Sequence, residues 1–324
     1  MTKVKWGVLG TANIAYGQTI PGMLGADNCE LYAVAGRSLE KATQFKEKFG
    51  FNKAYGSYEE LLYDSDVEAV YIPLPNTLHL PWVKKALDAG KNVLCEKPIG
   101  MNSDEVKEMF KAAHENSVLL MEAFAYLHSP YIESIKKDLD SGIIGDVDFI
   151  ETAFYTQGYK EDIRINKETG GGAVYDLGCY CSSLILSLVD SDPIYVKANA
   201  EFSDRDVDLI TAGIAKFENG IRAAFDVGMI LGDEGFARYD RLYIHGSRGK
   251  IESFAEYNQA GDISYQIFTD DGVITRELNA RSNYTLEIEQ FGRCVKGEDN
   301  PHITEEFSIR NSLFLDSVLK EIGY

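Results

Sequence analysis

A chain of 324 residues exceeds the roughly 100 to 200 residues of one ordinary domain, so two domains are expected. Apolar residues at 45% and charged residues at 26% exclude disorder as the main theme. Asp and Glu total 51 against 32 for Lys and Arg, a net charge of -19, which repels nucleic-acid phosphates and anionic membrane surfaces; neither is an expected partner.

The longest apolar stretches, such as Ala69 to Leu74 and Val118 to Met121, fall short of the ~20 residues that cross a bilayer. The opening MTKVKWGVLG runs straight into a strand-like segment without the features of a secretory signal, and a cytoplasmic location is expected. Cys29, Cys95, Cys179, Cys181 and Cys294 form no CxxC pair, so they read as free buried thiols and not as metal ligands.

From Val4 to about Glu122, short apolar runs alternate with helical patterns. The runs are Val4 to Leu9, Leu31 to Ala35, Ala69 to Leu74, Asn92 to Cys95 and Val118 to Met121, with helices expected over Leu39 to Phe49, Leu78 to Ala89 and Ser103 to Glu115. This alternation predicts a doubly wound parallel sheet, a Rossmann domain over residues 1–122. The remainder, 123–324, changes to longer strand-like runs joined by Asn219-Gly220, Ser247-Arg248-Gly249 and Asp271-Gly272, which favour positive φ and mark hairpins. Ile214 to Phe217 and Ile221 to Val227 read as one such hairpin. The second domain is therefore expected to be α+β with a large, open, mainly antiparallel sheet, closed by a helix over Glu305 to Ile322. Ile214, Phe217, Phe225 and Tyr243 are expected on an uncovered face of that sheet, and a covering second copy makes the chain a homodimer or higher homo-oligomer.

The first strand ends in Gly10-Thr11-Ala12-Asn13-Ile14-Ala15, which fits a dinucleotide fingerprint G-x-G-x-x-G/A at its first and third positions. Gly10 makes the tight turn, Ala15 allows close packing of helix on strand, and Ala12 still lets a pyrophosphate approach the helix N-terminus. The second strand ends at Gly36-Arg37-Ser38, where an NAD site wants a carboxylate for the ribose hydroxyls. Arg37 grips a 2′-phosphate there, with Ser38 beside it, or else is a solvated residue at a strand end.

Two more segments carry chemistry. Cys95-Glu96-Lys97-Pro98 delivers a lysine at the C-terminal end of a strand, where ligands bind in open α/β sheets. Gly170-Gly171-Gly172 leads into a helix carrying Asp176 and Tyr180, four residues apart and so on one face.

Together with Leu74-Pro75-Asn76-Thr77-Leu78-His79 and Met121-Glu122-Ala123-Phe124, these segments make the chain resemble, over essentially its whole length, the glucose-fructose oxidoreductase, inositol dehydrogenase and rhizopine catabolism (Gfo/Idh/MocA) family. Tyr180 is similar to the branch of dihydrodiol dehydrogenases, D-xylose dehydrogenases and glucose-fructose oxidoreductase, where inositol dehydrogenases have His. The resemblance implies NADP(H) in preference to NAD(H). Its cofactor contacts would be Gly10, Thr11, Ala12, Asn13, Ile14, Arg37, Ser38, Leu74, Pro75, Asn76, His79, Glu96 and Lys97. It also implies a catalytic set of Lys97, Tyr180 and Asp176 and a cis Lys97-Pro98 bond. A lysine ammonium near a phenol favours the phenolate, so Tyr180 can exchange a proton with a substrate hydroxyl while the nicotinamide exchanges a hydride.

Substrate contacts are expected from Lys97, Asp176, Tyr180, Arg164 and Tyr284, Arg164 being otherwise a solvated loop residue. Leu127 departs from the family, many members of which carry Arg there. The implied activity is oxidoreduction of a secondary alcohol or carbonyl on a small polyhydroxylated compound, a sugar or a cyclic diol. The alternative is a non-catalytic NADP-binding ligand sensor of the same fold, which has no need to keep Lys97, Asp176 and Tyr180 together.

Overall fold

Short, largely buried apolar runs make the first sheet. Strands β1 (Val4–Leu9), β2 (Cys29–Ala35), β3 (Lys53–Tyr55), β4 (Ala69–Ile72), β5 (Asn92–Glu96) and β6 (Leu120–Ala123) form six parallel strands in the order β3-β2-β1-β4-β5-β6. The computed structural model describes residues 3–232 and 237–324. Helices α1 (Ile20–Gly25), α2 (Leu39–Phe49), α3 (Tyr58–Leu62), α4 (His79–Asp88) and α5 (Ser103–Asn116) connect these strands. The strand order reverses beside β1, so a ligand crevice is expected outside the carboxyl ends of β1 and β4. Gly7 in β1 is dictated by packing: a Cβ there would stand 2.7 Å from Leu61 Cδ2 of α3.

The second sheet follows α6 (Pro130–Asp140) and has eight strands. These are β7 (Val147–Gln157), β8 (Pro193–Phe202), β9 (Asp208–Phe217), β10 (Arg222–Leu231), β11 (Arg238–Gly246), β12 (Gly249–Ser253), β13 (Gly261–Thr269) and β14 (Gly272–Ala280). Their order is β14-β13-β12-β11-β7-β10-β9-β8, antiparallel throughout except for β7 beside β10. The expected turns join β9 to β10, β11 to β12 and β13 to β14, and Gly220 and Gly272 take φ of 91° and 128°. Helices α7 (Cys179–Leu188), α8 (Asn283–Val295) and α9 (Glu305–Ile322) complete the chain.

Two expectations change. Phe217 and Phe225 do not share an uncovered face with Ile214: both are buried, with ring centroids 6.4 and 5.9 Å from that of Phe314 on α9, whereas Ile214 is 53% exposed. Residues 214 and 217 are three apart, and side chains in a strand alternate faces with period two. The single cut after residue 122 is also replaced. The compact units are 1–128 with 282–308, and 129–281 with 309–324. The returning segment is anchored in the first unit by the Trp6–Phe291 ring pair at 5.1 Å, by Asn28 Nδ2 donating to Glu289 O at 2.8 Å, and by Lys296 on Glu68 at 2.6 Å. Such pairings join residues far apart in sequence, and no local pattern announces them.

Tyr284 lies in this segment. It is buried, and a Cβ on Gly22 of α1 would stand 2.6 Å from Tyr284 Cβ and 2.9 Å from its carbonyl carbon. Its Cβ and backbone pack on α1, and its phenol lies close enough to Tyr71 to help raise that phenol's pKa. Gly22→Ala gains ~1 kcal/mol of helix propensity but forces α8 away, and overpacking costs about 1–3 kcal/mol. The unfolding midpoint in urea should therefore fall. Gly17→Ala, where no atom lies within 4 Å of the new Cβ, should leave the midpoint unchanged or raise it.

Candidate active site

In the first unit, β1 ends at Gly10, whose φ of +127° is disallowed to most side chains and whose N–H donates to Ala35 O at 2.9 Å. The next residues, Thr11 and Ala12, line a cleft of about 660 Å³ together with Gly36, Arg37, Ser38, Lys41, Leu74, Pro75 and the facing aromatics Tyr58 and Trp82. Ser38 begins α2 without capping it. Burial raises the Tyr58 phenol and the Arg37 cation opposes that rise. Tyr58 and Trp82 meet edge to face, centroids 4.8 Å apart. The cleft fits a dinucleotide: a glycine turn at a helix start for the pyrophosphate, guanidinium and ammonium at one end for an added phosphate, and flat apolar walls for a base. Of the residues expected here, Gly10, Thr11, Ala12, Arg37, Ser38, Leu74 and Pro75 line it. Asn13 is exposed on the helix beyond the turn, with Ile14 after it half-buried. Lys41, Tyr58 and Trp82 were not expected, because helix-borne and isolated aromatic residues carry no motif.

Glu96, Lys97 and His79 gather at the carboxyl end of β5. Lys97-Pro98 is cis. The buried His79 ring braces two strand ends, Nδ1 at 2.9 Å from Pro98 O and Nε2 at 2.8 Å from Leu74 O. Burial, aided by the Lys97 charge, lowers its pKa. Glu96 accepts from the Tyr71 hydroxyl at 2.5 Å, and Tyr71 accepts from Thr19 at 2.9 Å. Asn76 lies half-buried in the turn before α4.

Beneath this turn Glu122 is buried and accepts from Ile99 N–H at 3.0 Å. Burial pushes its carboxyl up to about 7, although the Ile99 amide and the Lys97 cation favour the ionised form. Leu127, at the position where the family resemblance expects Arg, is a core residue.

In the second unit the glycine run is sterically required. A Cβ on Gly171 would fall 2.4 Å from Arg164 O, and Gly172 has φ of +127°. Buried Asp208 of β9 accepts from Val174 N–H at 2.9 Å and Thr211 Oγ1 at 2.8 Å, satisfying the helix start. From Gly170 to Leu186 every residue is buried except Asp176 and Tyr180. Arg164 Nε donates to Asp176 Oδ2 at 2.8 Å, and its Nη1 to Asp162 Oδ1 at 3.0 Å; the Asp176 charge is the first reason that the guanidinium pKa is raised. The Tyr180 ring meets Phe154 at 5.4 Å and Tyr257 at 5.2 Å, and Asn258 Nδ2 lies 3.4 Å from its hydroxyl. Arg164 and Asp176 are thus joined directly, and Tyr180 follows Asp176 by four residues in the same helical segment. Lys97 belongs to the first unit. Among the described residues no group of three or more His, Cys, Asp or Glu side chains has the geometry to hold a metal.

Family models match both halves: an oxidoreductase family with an NAD-binding Rossmann fold over residues 4–124, and the GFO/IDH/MocA C-terminal domain over 132–252. The chain belongs to the GFO/IDH/MocA oxidoreductase family. Among GFO/IDH/MocA relatives, it is 40% identical to a trans-1,2-dihydrobenzene-1,2-diol dehydrogenase from Xenopus laevis over 98% of each chain. It is 32% identical to D-xylose 1-dehydrogenase (NADP(+)) 2 from Haloferax volcanii over 97% of this chain and 95% of that one. Its fold is similar to that of KijD10, a 3-ketoreductase from Actinomadura kijaniata solved with NADP and TDP-benzene, at a TM-score of 0.93 and 29% identity, covering 99% of this chain and 98% of that one.

Glu122 supplies a pH test. Its raised folded-state pKa means that the folded chain keeps a proton that the unfolded chain has released between pH ~4.5 and about 7, so its contribution to stability falls as pH rises through that window. Glu122→Gln cannot ionise. It should flatten the stability–pH slope between pH 4.5 and 7 and be more stable than wild type at pH 8, as read by urea denaturation at a series of pH values.

Proposed function

We propose that this member of the family is an NADP-dependent oxidoreductase of the cytoplasm, interconverting a secondary alcohol and a carbonyl on a neutral sugar or cyclic diol. One observation supports the enzymatic reading over the sensor: from the glycine run at Gly170 through the helix as far as Leu186, Asp176 and Tyr180 are the two residues that are not buried. A proton-transferring phenol and a carboxylate kept accessible one turn apart serve chemistry, not packing. The five described cysteines, all unbridged, suit a reducing compartment.

Bound in the cleft of the first unit, NADP(H) would supply the hydride acceptor or donor. Gly10 to Ala12 would hold its pyrophosphate, Arg37, Ser38 and Lys41 its 2′-phosphate, and Lys97 would stand at its nicotinamide end. Tyr180 takes the proton of the reacting hydroxyl in oxidation and returns it in reduction. Asp176, fixed by Arg164, accepts from a second substrate hydroxyl and so orients the sugar or diol.

Charge supports a neutral substrate over a nucleotide sugar. Arg164 is paired with Asp162 and Asp176, and Arg238 with Asp240 and Glu256. Each cation faces two carboxylates, leaving a negative balance that repels a diphosphate. A screen of aldoses, cyclitols and cyclic diols against nucleoside-diphosphate sugars, followed at the absorbance of reduced cofactor, tests this. Turnover is expected with the neutral compounds, and Lys97→Met or Tyr180→Phe should each lower it ~100-fold or more. An NADP-binding protein blank on all of them would be the sensor.

The cofactor reading has its own test. A charge-assisted hydrogen bond is worth roughly 1.5–3 kcal/mol, about ten- to hundred-fold in affinity, so NADP(H) should bind at least tenfold more tightly than NAD(H). Gly36→Asp with Arg37→Ala should reverse the order. The new Cβ would sit 3.1 Å from Ser38 O, a fit requiring only a small shift. Equal wild-type affinities in fluorescence titrations would return Arg37 to solvent.

The second unit also favours a homo-oligomer. One sheet face is covered by the helices, whereas Ile214, Ile230, Tyr239 and Phe254 stand exposed on the other. A second copy presenting the same face would bury them. Light scattering at micromolar concentration should give at least a dimer, and Ile214→Lys with Ile230→Lys should give monomer.

A further inference from the structure

Tyr180 is held by more than the helix that bears it. Buried Asp240 of β11 grips Arg238 at 2.7 and 3.0 Å and also accepts from Tyr257 N–H at 3.0 Å. That anchors the turn after β12, which is closed on itself: Glu256 N–H donates to Gln259 Oε1 at 3.1 Å, Gln259 N–H to Glu256 O at 3.0 Å, and Gln259 Nε2 to Asp262 O at 2.7 Å. The Tyr257 ring packs on Phe154 at 4.9 Å and on Tyr180 at 5.2 Å, and the Arg238 guanidinium lies 5.0 Å over Phe154. At the tip of this braced turn the Asn258 amide reaches the Tyr180 hydroxyl at 3.4 Å. Its own Oδ1 is buried with no hydrogen-bond partner, a cost of about the size of one hydrogen bond that a free rotamer would avoid. The turn holds the amide on the phenol in spite of that cost.

We infer that Asn258 is a positioning residue for Tyr180: its Nδ2–H donates to the phenol oxygen, aims it, and favours the phenolate over the phenol. This rests on the reading of Tyr180 as the proton-transferring group. A donor on an oxygen stabilises the form with more negative charge, so Asn258 helps Tyr180 to accept a proton from an alcohol at a lower pH than it otherwise would. Charged side chains near Tyr180 in this unit pair with one another, Arg164 with Asp162 and Asp176, and Arg238 with Asp240 and Glu256. Arg238 is close enough to interact with the Tyr180 charge. The adjacent Cys181 thiol, pushed up to about 12 by burial, stays neutral over the working range.

The test is the pH dependence of kcat for alcohol oxidation in the full chain, compared among wild type, Asn258→Ser, Asn258→Asp and Tyr180→Phe. Loss of the donor should move the rising limb about one to two pH units higher in Asn258→Ser. Asn258→Asp, which replaces a donor with a negative charge, should move it further in the same direction. NADP(H) affinity should be unchanged in both. A limb that stays in place while only KM rises, or one that moves to lower pH because the amide was accepting from the phenol, would overturn the inference. Tyr180→Phe separates the two readings. If it keeps turnover and the limb, the role of Tyr180 fails; if it loses turnover while the Asn258 variants leave the limb unmoved, Asn258 alone is wrong. Circular dichroism and the urea midpoint show whether each variant is folded, and Asn258→Gln serves as the conservative rescue, restoring part of the limb position.

Discussion

Loops at the ends of buried strands carry backbone groups that no ladder satisfies, and both units meet this constraint by placing a buried polar side chain under each functional loop. In the first, the His79 ring sits between the carbonyls of Leu74 and Pro98, its neutral form donating to one of them, and Glu122 accepts from the Ile99 N–H. In the second, Asp208 takes the Val174 N–H at the start of the Tyr180 helix. A buried donor or acceptor without a partner costs about 1–3 kcal/mol, so each brace fixes its loop in one conformation. The half-buried Lys97 and Tyr180 inherit their positions from side chains that lie behind them.

Electrostatics divides the labour between the units. The chain is strongly acidic at -19, yet Arg37 and Lys41 both line the cleft of the first unit, where an anionic cofactor would otherwise be repelled. In the second unit the guanidiniums of Arg164 and Arg238 are spent on carboxylates. Burial then acts in opposite senses on acids and on histidine: it raises Glu122 to about 7 and lowers His79. Both lie buried beneath the loop, where burial disfavours the charged form of each.

The motifs that were legible in the chain share one property: their residues are contiguous or one helical turn apart. Gly10 to Ala12, Arg37-Ser38 and Asp176 with Tyr180 are local because a tight turn, a strand end and a helix face are local structures. The same holds for the hairpins at Gly220 and Gly272, which need positive φ. What was missed is non-local. Trp82 joins Tyr58 across 24 positions in the cleft, and Asn258 reaches Tyr180 across 78. An isolated Asn in a turn has the same appearance in sequence whether or not a phenol stands above it.

Composition, hydrophobic period and glycine placement by themselves determined the two kinds of sheet and the dinucleotide turn, because each follows from backbone conformation and the spacing of apolar residues along the chain; the family came from the resemblance of motifs such as Glu96-Lys97-Pro98 and Asp176 to Tyr180. Only the tertiary structure decided that residues 282–308 return to the first unit, that Phe217 and Phe225 turn toward α9, that Tyr284 packs against Gly22, and that Arg164 is committed to Asp176. These outcomes depend on which distant surfaces exclude water from one another and which buried charges find partners, and both are settled by packing after the local elements exist.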